Sequence, residues 1–164
     1  MKYVFQYLLA LAILIFSTFA SWYEGSAIRH HSFEWKYSAF FSKMFNGEIK
    51  SNTDISQLDH FIYAAKFSPS FPILMLCSLS YLLIISSYLV LRKNTKALII
   101  SHLALSALYL LLGVLASDSP TIGGTYFTIV LLTISILNFV LSLLFFVKVK
   151  KGKEDVGNNG TLLN

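Results

Sequence analysis

Few side chains in this 164-residue chain carry groups able to do chemistry, and they fall into two sets. The first lies in polar sequence: Trp22 and Glu24, Trp35, and the neighbouring pair Asp59 and His60. Carboxylates beside a histidine could serve as acid and base, yet nothing near them supplies a nucleophile or an oxyanion site, which leaves salt-bridge or capping roles. These five are the candidate interaction residues. The second set lies in apolar sequence: His102, Ser106, Tyr109 and Gly113 stand four, three and four residues apart, and Thr128, Ser135, Asn138 and Ser142 share a stripe further on. On a helix each set forms one face, where polar and small side chains make helix-to-helix contacts. The competing reading of those stripes is a polar permeation path, but no carboxylate, Lys or Arg accompanies them. His102 is read as a packing and hydrogen-bonding group, with proton sensing as the alternative.

A metal centre is not expected. His30, His31 and Glu34, with Asp59 and His60 across the loop, have generic spacing, whereas a metal site needs three or four ligands in defined geometry. Cys77 is the single cysteine, so an internal disulfide and a thiolate cage are both excluded. Catalytic, cofactor and metal residues are therefore all assigned as none, and enzymatic activity is left open.

The elements that must position these residues are four apolar stretches, at about 3–21, 71–91, 97–116 and 126–147, without a Lys, Arg, Asp or Glu among them. Each is close to the roughly 20 residues that cross a hydrocarbon core. With 55% hydrophobic and 13% charged residues and a mean hydropathy of +0.65, the expected class is all-α: a polytopic membrane protein, four transmembrane helices in an antiparallel bundle. Residues 1–151 form one membrane domain, and 152–164 a disordered cytoplasmic tail. The net charge of +5 does not point to nucleic acid, because the basic residues flank the spans. Lys2, the group Arg92, Lys93 and Lys96, and the group Lys148, Lys150, Lys151 and Lys153 put both termini in the cytoplasm by the positive-inside rule. The first stretch is read as a retained anchor, since its apolar run exceeds a usual signal h-region, although Thr18-Phe19-Ala20 fits a cleavage site tolerably.

The loop 22–70 is then outside, and it is patterned. Phe33, Tyr37, Phe40, Phe41, Met44 and Phe45 recur at helical spacing, with Glu34, Ser38, Ser42 and Lys43 opposite, Ser32 as N-cap and Gly47 as C-cap. This predicts one amphipathic helix that lies in the interface or caps the bundle. A second is predicted from Ile55 to Lys66, with Asp54 as N-cap, Gln57 in a capping box, and Ile55, Leu58, Ile62 and Ala65 as its buried stripe. Two prolines, Pro69 and Pro72, end it and start the next span.

The segments Phe16 to Ser26 (FSTFASWYEGS) and Asp54 to Phe67 (DISQLDHFIYAAKF) resemble the YjdJ-like group of small membrane proteins from Bacillus-type bacteria. The resemblance covers the first two spans and the loop, implies a Gram-positive plasma membrane, and carries no catalytic residue. The functional expectation is an interaction or envelope-associated protein that works through its outer loop, its partners the lipid bilayer and another envelope protein. A small transporter or channel component, and an enzyme acting on lipid or cell-wall intermediates, are the alternatives.

Overall fold

In the computed structural model, backbone is described for residues 2–161 and side chains for 3–151. The expected tail, 152–164, lies outside the residues whose side chains are described. The described residues form seven α-helices and no strand: α1 (Lys2–Gly25), α2 (Trp35–Ser38), α3 (Phe40–Asn46), α4 (Gln57–Phe67), α5 (Ser70–Leu91), α6 (Thr95–Ser117) and α7 (Ile122–Thr161). Short 3-10 turns fill Ser26–His30, Ser32–Glu34 and Asn52–Asp54. Four helices, α1, α5, α6 and α7, are long and apolar enough to cross a membrane.

The four long helices are not equally packed. α6 and α7 run against one another most extensively, α1 and α5 next, while α5 touches α6 and α7 only sparsely. The bundle is therefore two antiparallel pairs. α5 and α6 touch only sparsely although just three residues, 92–94, connect them.

What joins the pairs at the loop end is α4. It packs on α1, α5 and the start of α7. Two glycines make this possible: a side chain on Gly25 would collide with the carbonyl of His60, and one on Gly123 with the carbonyl of Ala65. Backbone-to-backbone approach of this kind needs the absence of Cβ on the approaching helix.

The loop differs from its sequence reading in two ways. The helix expected to run through Phe33 and Phe45 breaks at Ala39 (φ −94°, ψ 60°) into α2 and α3. Gly47 does close α3, at φ 74°. Ser32 opens a 3-10 turn that no side chain caps. The second helix starts at Gln57 with Ser56 as N-cap, its hydroxyl accepting from Leu58 N–H, and not with Asp54. Asp54 instead closes a capping box with Ser51 in the preceding turn, where the amides of Lys50 and Ser51 hold its carboxyl below the usual carboxylate range. The buried face of α4 is Asp59, His60, Tyr63 and Ala64; of the expected Ile55–Leu58–Ile62–Ala65 stripe Ile55, just before the helix, is buried, Ile62 and Ala65 are half-buried and Leu58 is exposed.

Candidate functional site

α4 carries the polar residues that organise the loop. The break at Ala39 frees N–H groups at the start of α3 and carbonyls at the end of α2, and each set must be satisfied if buried. Asp59 takes the first set: Oδ1 accepts from Phe41 N–H and Oδ2 from Ser42 N–H, both at 2.8 Å, and Ser42 Oγ also donates to Oδ2. Lys66, seven residues and two turns further along the same face, takes the second, with Nζ donating to Tyr37 O at 2.6 Å and Ser38 Oγ at 3.3 Å. An anion thus sits at a helix N-terminus and a cation at a C-terminus, the favourable sense for both dipoles. Burial lowers the Lys66 pKa, and nearby Glu34 opposes this.

This arrangement turns α2 and α3 inside out relative to the usual amphipathic helix. Ser38 and Ser42 are fully buried, while Phe33, at 91% exposed, Tyr37, Phe40, Met44 and Phe45 face outward. Beneath them a small apolar core gathers Ile28, Ala39, Ile55 and Tyr63, with Trp35 packed on it. Trp35 Nε1 donates to Ile28 O at 2.8 Å and fixes the turn between α1 and α2.

Beside this satisfied network lies an unsatisfied one. His60 is 1% exposed and neither ring nitrogen has a hydrogen-bond partner. Ser21 Oγ, Glu24 Oε2 and Arg29 Nε are likewise sealed and unpaired. Trp22 ties α1 to α4, its ring 5.7 Å from the His60 ring and its Nε1 donating to Gln57 Oε1 at 2.7 Å. Burial is the main cause that pushes the His60 pKa below the ordinary histidine value and Arg29 adds to it, while the approach of the Trp22 backbone, too poorly aligned to count as a full hydrogen bond, and the Asp59 charge oppose it. The structure thus brings Trp22, Glu24, Asp59 and His60 to the α1–α4 junction and leaves Trp35 in the adjoining core; Ser21 and Arg29 belong to the same junction. In sequence Ser21 ends the first apolar stretch and Arg29 is one of five basic residues of the loop, with nothing to single either out. Their signal is burial without a partner, which sequence does not carry.

The polar stripes of the apolar helices meet between α6 and α7. Ser106 Oγ donates to Ser135 O at 3.0 Å and Ser135 Oγ returns to Ser106 O at 2.8 Å. Asn138 Nδ2 donates to Ile134 O, so its Oδ1 accepts, and His102 Nδ1–H donates to it at 3.0 Å. Ser142 Oγ reaches Ile99 O, and Tyr109 packs with Leu131 and Ile134. Among the described residues no fully buried polar side-chain atom of this seam lacks a partner. Among the described residues no group of three or more His, Cys, Asp or Glu is placed to hold a metal.

Residues 4–91 match a family model described as "Domain of unknown function (DUF4306)". The chain is 40% identical to "Uncharacterized protein YjdJ" of Bacillus subtilis (strain 168) over 76 residues, 45% of this chain and 70% of that protein. No solved structure matches it significantly. The matched segment coincides with α1, the loop, α4 and α5, whereas the α6–α7 pair lies beyond it. The chain belongs to the DUF4306 family, and the resemblance drawn from 16–26 and 54–67 falls within the matched segment.

Proposed function

We propose that this member of the DUF4306 family is a multi-pass plasma-membrane protein whose loop 26–67 is a rigid recognition cap seated on the outer membrane surface, there to engage lipid or another envelope protein. One observation carries the reading: the aromatic face of α2 and α3 is turned away from the protein while the serine face is turned in. A row of Phe, Tyr and Met beside the ends of two spans is at home in the headgroup region, where aromatic rings anchor. The basic residues of the short flanks, Arg92, Lys93 and Lys96 and those from Lys148 on, lie at the opposite ends of the helices, while those of the cap are accompanied by Glu34, Glu48, Asp54 and Asp59; this supports cytoplasmic termini and an external cap.

The satisfied α6–α7 seam supports a contact role over a permeation role for its polar groups. The spending of Asp59 and Asp54 on backbone amides likewise supports capping over acid–base work.

The test uses single-cysteine chains in a Cys77→Ser background, with fluorescent labels at Phe40, Phe45 and, as reference, Lys50. Lipid-borne quenchers are expected to reach 40 and 45, and aqueous quenchers added outside intact cells to reach 50. Labels at 40 and 45 that respond only to aqueous quenchers, or a label at 50 reached only from inside, would overturn it.

A further inference from the structure

At the other end of the molecule, the sparse contact between the two helix pairs leaves a groove. Three cavities follow one another along a single stripe of α5. The first, about 280 Å³, lies between α1 and α5 alone and leads into the groove, running from Leu74 past Cys77 to Tyr81 with Gln6 opposite. The second, about 220 Å³, shares Gln6 and Tyr81 with it and continues past Ile84 and Ile85 to Tyr88. The third, about 300 Å³, shares Tyr88 and Phe145 with the second and opens between Arg92, Thr95 and Lys148. The residues 74, 77, 81, 84, 88 and 92 are three and four apart, so one face of α5 floors all three.

The groove changes character along its length. Its inner part, Tyr81 to Tyr88, is walled mainly by Ile84, Ile85, Leu141 and Phe145, with Gln6 and His102 the polar members of a mostly apolar lining. Its mouth carries two cations, Arg92 and Lys148, and Thr95 of the first turn of α6, the positive end of that helix. Lys93 and Lys96 lie alongside, and the sequence has no acidic residue from 60 to 117 or from 119 to 153. From Tyr81 to Arg92 the helix rises about 16 Å at 1.5 Å per residue. That is close to half of a hydrocarbon core about 30 Å thick, the depth of one leaflet.

A slot that is apolar for one leaflet's depth and doubly cationic where the leaflet meets water is complementary to a single class of molecule. We propose that the groove between the α1–α5 and α6–α7 pairs binds an anionic phospholipid of the basic-side leaflet, one acyl chain along α5 from Tyr88 past Tyr81 and the phosphate between Arg92 and Lys148. The lipid fills the gap between the helix pairs, and the site is at the far end from the cap. It rests on the membrane reading and not on the role given to the cap.

The test is native mass spectrometry of the full chain released from an uncharged detergent after exposure to phosphatidylglycerol or to phosphatidylcholine. Phosphatidylglycerol is expected to be retained preferentially, and R92Q/K148Q to weaken retention on the order of thirtyfold, taking each charge as roughly fivefold. A phosphatidylglycerol bearing a diazirine on its acyl chain is expected to label peptides that contain Tyr81 and Phe145, and inorganic phosphate at millimolar level to leave that labelling unchanged. Equal retention of the two lipids, survival of binding in R92Q/K148Q, displacement by inorganic phosphate, or labelling confined to other helix faces would each overturn the site. Incorporation into phosphatidylcholine nanodiscs is read separately, since failure there would sink the membrane reading itself.

Discussion

The α6–α7 seam and the α1–α4 junction both bury polar side chains between helices, but they do so in opposite states. In the seam, Ser106, Ser135, His102 and Asn138 are joined by hydrogen bonds and keep no sealed polar atom unpaired. At the junction Ser21, Glu24, Arg29 and His60 each keep a sealed polar atom without one. A satisfied buried group fixes register, whereas an unpaired one costs roughly 1–3 kcal/mol of desolvation and persists only where surrounding packing holds it. The junction is held by close backbone contact at Gly25 and Gly123 and by the caps that Asp59 and Lys66 place on α3 and α2. The seam is held by its own hydrogen bonds and needs no outside clamp.

The sharpest way to break that contrast is to remove the clamp. Gly25→Ala and Gly123→Ala each drive a methyl into a backbone carbonyl, so α4 must lift from α1 or from α7. Overpacking of this kind costs about 1–3 kcal/mol and more where backbone must move. Limited proteolysis from the loop side should cut between 26 and 67 in either variant, while α6 and α7 stay protected. Gly113→Ala, which meets only side-chain atoms of Leu131 and Leu132, should leave the loop intact.

Asp59→Ala comes next. It orphans two buried amides and the Ser42 hydroxyl, and the expected loss is about 2–4 kcal/mol, read as lower thermal stability of the loop. Asp59→Asn keeps one acceptor and should lie between. If Asp59→Ala melted like the parent, α3 would not depend on its distant cap.

The difference between the two regions also decides what the sequence could tell. The seam was legible because four- and three-residue spacing puts His102, Ser106 and Tyr109 on one face, and the spans were legible because nothing but length and apolarity defines them. The loop was legible only as helix-forming sequence. Its aromatic period found a face, but the usual inference, that the apolar face is the buried one, fails where Ser38 and Ser42 supply the hydrogen bonds that close on α4. The break at Ala39 was hidden for the same reason: it is stabilised by Asp59 and Lys66, some twenty residues or more away, and no local pattern carries that. Asp54 was misplaced because an Asp before a helix and an Asp closing a capping box look alike in one dimension. Division into two pairs left no trace in periodicity.

In the seam, single substitutions should be mild, because transmembrane hydrogen bonds average about 0.6 kcal/mol. Asn138→Leu is expected to cost about 1 kcal/mol or slightly more, since His102 Nδ1–H loses its acceptor. Ser106→Ala and Ser135→Ala should each cost less, and together no more than their sum by a wide margin. Unfolding from mixed micelles would measure these. A loss of several kcal/mol from Ser106→Ala alone would make the seam the more demanding of the two regions and reverse the comparison.

The smallest energetic effect is expected at His60, and it is the most informative about the junction. No hydrogen bond is lost in His60→Phe, and desolvation of two ring nitrogens is relieved, so stability at neutral pH should stay the same or rise slightly. The pH dependence is what should vanish. In the unfolded chain His60 takes up a proton near pH 6.5. In the folded chain burial and Arg29 hold its pKa lower, against the pull of Asp59, so between the two values the unfolded state binds more protons. Docking of α4 on α1 is then complete above about pH 6.5 and weakens as pH falls through the depressed folded pKa. Trp22, with its ring 5.7 Å from His60, reports this directly, and its fluorescence in a Trp35→Phe background should change in that acid window in the parent and not in His60→Phe. If the transition persisted in His60→Phe, another group, such as the neighbouring Glu24 or Asp59, would be its source; a parent without any transition would mean that the imidazole is already satisfied and that the two regions do not differ in kind.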